Sequence, residues 1–583
     1  MHENRETSIV PADSAGRTAK AQSHKADVYA MEESDRGEVA MNQPNKGVQA
    51  PAEVGEGRLR PKENAGQPHT QPAQNGQRVS QGLNGVRRAA RERKQERFTA
   101  LLHHLNVDLL KDSYFALQRK AAPGVDGMRW REYGDGPEDR ITDLHSRIHR
   151  GGYRAQPSRR VYIPKADGKQ RPLGIASLED KIVQQAVVTI LNQIYEVDFR
   201  GFSYGFRPGR DPHQALDALN VGIARRRVNW ILDADIKGFF DHVRHEWLEK
   251  FLKHRIADTR VLRLIQKWMK AGVLEDGERL ETEQGTPQGA VISPLLANVY
   301  LHYVFDLWAE VWREKVATGD RIVVRYADDL VAGFQHRADA ERFLKEFQER
   351  LAKFGLEVHP DKTRLIAFGR EVWRNRKRAG QAKLETFTFL GFTHYCGENS
   401  KGYFQVWRET AGKRMRTKLQ QIKQELRARM HEPVDTTGKW LKRVVLGYYQ
   451  YHAVPGNLQQ LGRFRWRLAR LWRYVLRRRS QKSRVTWKQI GPVLDRWIPA
   501  PRTLHLASVP ECAFRRSYPR EEPYAVAPLV RICAGAVSDG RPYRDTVILS
   551  RRSGVCKLLI LGLPKSISDR LLAIRAKPTA AKA

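Results

Sequence analysis

Two stretches place carboxylates where buried β-structure is expected. The first is Arg325-Tyr326-Ala327-Asp328-Asp329-Leu330, with the apolar runs Ile322-Val323-Val324 before it and Leu330-Val331-Ala332 after it. Two short apolar runs around a polar pair predict a buried hairpin with adjacent acids at its turn. Two like charges in a poorly solvated place are costly unless a cation sits between them. Hard carboxylate oxygens suit Mg²⁺, so the pair proposes metal-assisted phosphoryl chemistry. Taken alone, a solvated Asp-Asp turn explains it equally well. The second stretch, Asn229 to Ile236, predicts a strand ending in an acid, with Gly238-Phe239-Phe240-Asp241 as a turn into a helix. At period two Asp233 and Asp235 share a face, and Asp235 lies nearer the turn where a ligand could enter. Asp235 is therefore the candidate third acid. Asp241 is expected to cap the next helix.

Three further segments could serve a nucleotide. Arg159 to Lys165 and Gln170 to Ile175 predict two strands joined by the Asp167-Gly168 turn, bringing Lys165, Lys169 and Arg171 onto one basic hairpin. Such a hairpin can close over a triphosphate, Arg through forked hydrogen bonds and Lys as a point charge. Gln284 to Pro294 is an exposed loop, in which glycines allow close backbone approach and Gln288 can read a base or sugar edge. His359-Pro360-Asp361-Lys362 predicts a turn that presents a lysine, and Leu390-Gly391 interrupts a strand pair.

These segments need a scaffold, and the chain is long enough to build one. At 583 residues two to four domains are expected. All 13 Trp lie between Trp130 and Trp497, which marks the folded body. Residues 1–90 are rich in Gly, Pro, Gln, Asn and Ser, with Tyr29 as the sole aromatic, and read as disordered. A basic helical stretch is expected to open at Arg87. The formal net charge of +38 favours a polyanionic partner such as nucleic acid. No apolar run reaches the roughly 18–20 residues that a membrane span needs. The four cysteines, Cys396, Cys512, Cys533 and Cys556, form no C-x-x-C pair, which gives no support to a zinc finger or zinc-stabilised nuclease; a disulfide framework is not expected at this length either, which fits a reducing compartment.

From about Thr410 the pattern becomes helical. Met415, Leu419, Ile422, Leu426 and Met430 recur at helical spacing, as do Leu458, Leu461, Phe464, Leu468, Leu471 and Val475. The other faces carry Arg463, Arg465, Arg467, Arg470, Arg473, Arg477 and Arg478. Residues 410–500 hold 22 Lys and Arg against 4 Asp and Glu, so these arginines lack acids to pair with. An arginine face beside Trp466, Trp472 and Tyr474 suits RNA phosphates and stacked bases.

Taken in order, Asp235-Ile236-Lys237-Gly238-Phe239-Phe240-Asp241, Gln284 to Pro294 and Tyr326-Ala327-Asp328-Asp329 resemble the reverse transcriptases encoded by group II introns, the intron maturases. The resemblance covers roughly residues 95–500. It implies an α+β right-hand polymerase, with fingers and an antiparallel-sheet palm over 91–405 and a helical thumb, or maturase domain X, over 406–500. Residues 501–583 would be a basic extension without a recognisable nuclease, so that DNA insertion would use a pre-existing primer. By the same resemblance Asp235, Asp328 and Asp329 are the catalytic acids and, with Ile236, the site of two Mg²⁺ ions. Phe240 matches the gate against a 2′-hydroxyl. Lys165, Arg171, Gln288 and Lys362 match nucleotide-pocket positions, and Leu390-Gly391 resembles a primer grip. The implied partners are group II intron RNA, an RNA template with a DNA primer, deoxynucleotides and target DNA, in a bacterial cytoplasm. Two alternatives remain open at this level: a splicing-only RNA-binding cofactor, and a cellular reverse transcriptase serving defence or adaptation.

Overall fold

The computed structural model describes residues 75–164, 170–280, 284–286, 288–380, 385–505, 548–550 and 557–559. The chain divides into two units, 1–516 and 517–583. The second contributes one antiparallel strand pair, described last.

The first unit is built around an antiparallel four-stranded sheet. Its strands are β3 (Trp230–Asp235), β6 (Arg321–Tyr326), β7 (Asp329–Phe334) and β8 (Arg364–Ala367), in the order β6-β7-β3-β8. Side chains alternate across a strand, and here both faces are apolar because both are covered. Leu232, Ala234, Val323, Leu330, Ala332 and Phe334 join the large core, which also takes in the helices Leu178–Asp198, Ser293–Leu301 and Arg337–Ala352. Ile231, Ile322, Val324 and Val331 face the other way, onto the helix Pro212–Arg225. Asp233 and Asp235 lie two and four residues beyond Ile231, on that second face.

A second sheet joins β1 (Ser158–Pro164), β2 (Gln170–Ile175), β4 (Val273–Glu275) and β5 (Glu278–Leu280) in the order β2-β1-β4-β5. β1 and β2 are antiparallel, with Ile163 opposite Arg171. A third sheet comprises β9 (Phe387–Phe389), β10 (Phe392–Glu398) and β11 (Phe404–Thr410), all antiparallel. Four helices come next: Gly412–Ala428, Val434–His452, Leu458–Arg477 and Trp487–Trp497. They share a core of their own, centred on Leu426, Leu441, Leu461, Phe464, Leu468 and Trp472. In the second unit β12 (Ile548–Ser550) pairs antiparallel with β13 (Lys557–Leu559).

The α+β expectation is met. Three boundary expectations need correction. Residues 75–90, read as disordered, belong to the helix Asn75–Glu92, whose Leu83, Val86 and Ala90 are buried; residues 1–74 lie outside the described residues. The boundary expected at 405/406 falls inside β11, so the helical segment begins at Gly412. The boundary at 500/501 is also too early, because the Leu504 and His505 amides donate to the Ala453 carbonyl and His505 stacks on His213. Among the described residues no helix is long and apolar enough to cross a membrane.

Two tryptophans on one helix give a test of this packing. Trp472 is fully buried, whereas Trp466 is 56% exposed. Trp472→Ala is expected to cost about 3–5 kcal/mol of stability. Trp466→Ala is expected to stay within about 0.5 kcal/mol. Denaturant unfolding followed by far-UV circular dichroism compares the two.

Candidate active site

The strands β6 and β7 are joined by the two-residue turn Ala327-Asp328, closed by Tyr326 opposite Asp329. Ala327 has φ of 55°, the positive sign that primed hairpin turns use. On its other side β7 pairs with β3, and there Asp235 stands directly opposite Asp329. Directly opposed residues on one sheet face have Cβ atoms about 4.5–5.5 Å apart. Asp235 and Asp328 are buried and Asp329 is half-buried. Strand register and turn therefore bring the three acids to one end of one sheet.

The surroundings show how this charge is carried. Burial pushes the Asp233 carboxyl up to about 7; Arg364, 3.7 Å away, opposes the rise, and Asp329 and Asp235 add to it. Lys362 donates its ammonium to Asp235 Oδ2 at 3.2 Å. Lys362, expected at the nucleotide pocket, is thus seated on Asp235 as its counter-ion in this structure. Among the described residues no three His, Cys, Asp or Glu side chains form a ready-made metal cluster. The donor set nevertheless fits Mg²⁺, which keeps several waters and takes one or two carboxylates together with substrate phosphates. The Lys362 ammonium on Asp235 marks the same place as one that accepts a cation. Ile236 has a buried apolar side chain, so only its main chain could serve a metal.

Around the acids, Gly238 (φ 53°) opens the short helix Phe239–His242. The buried Phe240 ring lies 6.5 Å from that of Phe206, which lies 6.4 Å from Tyr326. An aromatic row thus leads from Phe240 to the acid turn. Asp241 does not cap the next helix as expected. It sits inside the first turn of its own helix and accepts from Gln288 Nε2 at 3.3 Å. Gln288 also accepts from Arg171 Nε at 3.1 Å. Arg171 and Gln288 are therefore brought together beside Asp241. Lys165 lies outside the described residues.

The loop carrying Gln288 is docked through its backbone. The Thr286 amide donates to the Phe240 carbonyl at 2.8 Å, Gly285 to Val243 at 2.8 Å, and Gly174 to the Gln288 carbonyl at 2.6 Å. Gln184 holds the far end, its Oε1 accepting from the Val291 and Ile292 amides. Sequence reasoning missed Gln184. The available signal was a glutamine set among the apolar positions of the helix Leu178–Asp198, where Asp180 and Gln185 are also buried.

Leu390 (φ 49°) and Gly391 (φ 76°) form the β9–β10 turn. The Tyr451 hydroxyl donates to the Leu390 carbonyl at 2.9 Å, and the Arg414 guanidinium lies 5.1 Å from the centre of the Tyr451 ring. Both anchors come from the helical segment and were not foreseen.

On the helix Leu458–Arg477, Arg463, Arg467, Arg470 and Arg477 are exposed, as is Arg478 just beyond it. Arg470 lies 4.6 Å over the Trp466 ring, and Arg478 donates to the Tyr474 hydroxyl. Two of the arginines carry protein partners, and one tryptophan is corrected. Arg465 is engaged with the Ile498 carbonyl and Asp495, and Arg473 with the Val485 carbonyl and the Trp487 ring. Trp472 is core and cannot offer its ring for stacking.

Residues 163–394 match the family model described as reverse transcriptase (RNA-dependent DNA polymerase). The chain is 33% identical over 301 residues to Protein YkfC of Escherichia coli (strain K12), covering 45% of this chain and 78% of that one. It is 35% identical over 283 residues to the group II intron-encoded protein LtrA of Lactococcus lactis subsp. cremoris, covering 46% of each. The chain belongs to the family of group II intron-encoded reverse transcriptases and maturases. Nuclear intron maturase 1, mitochondrial, of Arabidopsis thaliana is 28% identical over 111 residues, 19% of this chain and 15% of that protein. The matched stretch thus spans under half of LtrA. The reverse transcriptase match contains all three acids, Phe240, Gln288 and the Leu390-Gly391 turn; the four-helix segment lies beyond it.

The docked loop supplies a prediction. Gly289 has φ of 105°, and a Cβ there would meet the Gly174 carbonyl oxygen at 2.8 Å. Gly289→Ala is expected to cost about 1–3 kcal/mol, read as a lowered urea midpoint, with cleavage in the 284–294 loop appearing first under limited proteolysis.

Proposed function

We propose that this chain is an RNA-directed DNA polymerase that binds group II intron RNA, assists its splicing and copies it into DNA. The supporting observation is the register that sets Asp235 opposite Asp329 beside the Asp328 turn. In this reading the β6-β7-β3-β8 sheet is the palm, the β2-β1-β4-β5 sheet belongs to the fingers, and the helices from Gly412 to Trp497 form the thumb.

Asp235, Asp328 and Asp329, with the Ile236 main chain, would hold two Mg²⁺ ions. When bound, these supply Lewis-acid stabilisation of the attacking 3′-oxygen and of the departing pyrophosphate. The protein's own part is positioning and charge placement. Arg171 would fork onto nucleotide phosphate, with Gln288 fixing its guanidinium. Phe240 would close the pocket under the sugar and exclude a 2′-hydroxyl by bulk. Lys362, seated on Asp235, would neutralise the acid cluster before metal and nucleotide arrive. The Leu390-Gly391 turn would hold the primer end. Arg463, Arg467, Arg470, Arg477 and Arg478 would meet RNA phosphates.

Asp328→Ala or Asp329→Ala is expected to abolish DNA synthesis on an RNA template while leaving RNA affinity intact. Primer extension and filter binding on the same preparations check this, and a double variant that still extends a DNA primer would defeat the assignment. The basic face gives an independent prediction. Replacing Arg467, Arg470 and Arg477 together with Ala is expected to lower the slope of log affinity against log salt by about 2–3, since each phosphate contact contributes about 0.7–0.9. Primer extension on an oligonucleotide template should persist in that variant.

A further inference from the structure

The acid turn is held from behind. Arg325, at the penultimate position of β6, shares a sheet face with Val323 and Leu330, opposite to the face that carries Asp235 and Asp329. It is 1% exposed, and every donor of its guanidinium is used. Nε and Nη2 fork onto Asp306 Oδ1 and Oδ2 at 2.7 and 2.6 Å. Nη2 also donates to Ser203 Oγ at 2.7 Å. Nη1 donates to Asn298 Oδ1 at 3.2 Å and to the Ala327 carbonyl at 3.0 Å. The last bond fixes the peptide that links Ala327 to Asp328.

The partners form a closed ring around the turn. Asn298 Nδ2 donates to the Gly205 carbonyl at 2.8 Å. Gly205 lies flat against the turn, and a Cβ on it would fall 2.3 Å from the Ala327 nitrogen. The Arg325 amide and carbonyl are themselves bonded to Phe202 and Tyr204. Asp306 ends the π-helical segment His302–Asp306, set between the helices Ser293–Leu301 and Leu307–Lys315. A one-residue π insertion rotates every later residue of the helix by about 100° relative to a regular one, and so decides which residue meets Arg325. Burial pushes His302 down to about 4, so it stays neutral and leaves the Asp306 charge to the guanidinium.

A buried ion pair is a poor source of stability, because desolvation cancels much of the attraction. What this one supplies is geometry. We infer that Arg325 and Asp306, with Ser203 and Asn298, are positioning residues that hold the left-handed Ala327 peptide and so set where Asp328 and Asp329 point. The inference rests on the polymerase reading of the acid face, and its test separates the two.

The full chain is compared as Arg325→Lys, which keeps the charge but loses the fork, as Asp306→Asn, and as the mild variant Ser203→Ala, which removes one partner of the guanidinium. Single-turnover primer extension gives the rate per active site, burst amplitude gives the active fraction, and free Mn²⁺ measured by electron paramagnetic resonance gives metal affinity. Misplacement on the ångström scale costs up to about 10²-fold in rate, so Arg325→Lys and Asp306→Asn are expected to lose roughly 10- to 100-fold in rate per active site. Ser203→Ala is expected to lose less, in the same direction. Mn²⁺ affinity is expected to fall in step, with RNA affinity and nucleotide KM within about twofold of the parent. A merely structural role would lower the burst amplitude and leave the rate per active site unchanged, and that outcome overturns the inference. Should the first two variants fail to fold, Ser203→Ala decides by the same two readouts. A parent protein that makes no DNA would defeat the polymerase reading alone; the inference would then stand or fall on whether Mn²⁺ affinity drops in the variants.

Discussion

Like-charge repulsion at one sheet end is the constraint on which this structure turns. Asp235 and Asp329 are directly opposed across β3 and β7, with Asp328 one residue away and Asp233 two. Such a cluster lasts only where the backbone beneath it is over-determined and a cation is at hand. The structure meets both needs. The strands carrying the acids are packed on both faces, and the Lys362 ammonium rests on Asp235. The cost of assembling the acids is offset by apolar burial elsewhere in the sheet, where Leu232, Val331 and Ala332 are fully enclosed.

What was legible in the sequence is what local pattern encodes. Acids at the end of an alternating strand, or between two apolar runs, announce themselves through period and turn position. Asp235, Asp328 and Asp329 needed nothing more to be singled out. Their meeting was not legible, because register between β3 and β7 is set by residues nearly a hundred positions apart. The same limit hid Arg325 and Asp306. Arg325 reads as an ordinary basic residue beside the acid pair. Its partner is specified by a π-helical turn that leaves no periodic signature in His302-Tyr303-Val304-Phe305-Asp306.

Other misreadings were avoidable. Leu461, Phe464, Leu468, Trp472 and Val475 follow one helical stripe, so Trp472 belonged to the core by spacing alone, whereas Trp466 falls off the stripe. The helix Asn75–Glu92 is harder. Its apolar content is thin, and Leu83, Val86 and Ala90 form a face only because the fold supplies the opposing surface. Composition argued for disorder, and tertiary context overrode it. Lys362 shows a third kind of limit: a lysine in a turn reads as a ligand contact from the sequence, and its seat on Asp235 is visible only in the fold.

The helical segment is tied to the β9–β10 turn more tightly than a separate RNA-binding module would be. Tyr451 and Arg414 hold the Leu390 carbonyl, and a Cβ at Gly391 would strike the Arg414 guanidinium. Asn457, fully buried, accepts from the Thr410 amide and donates to the Thr410 hydroxyl and the His452 carbonyl, locking the end of β11 to the loop before the helix Leu458–Arg477. That helix carries the exposed arginines. Asn457 thus ties that helix to β11, and Tyr451 ties the helix Val434–His452 to the turn proposed to hold the primer. These are short, buried, directional bonds, which resist displacement better than apolar contacts that can slide. If the proposed RNA face and the proposed primer turn are used as such, these bonds join them through the main chain at Leu390 and Thr410.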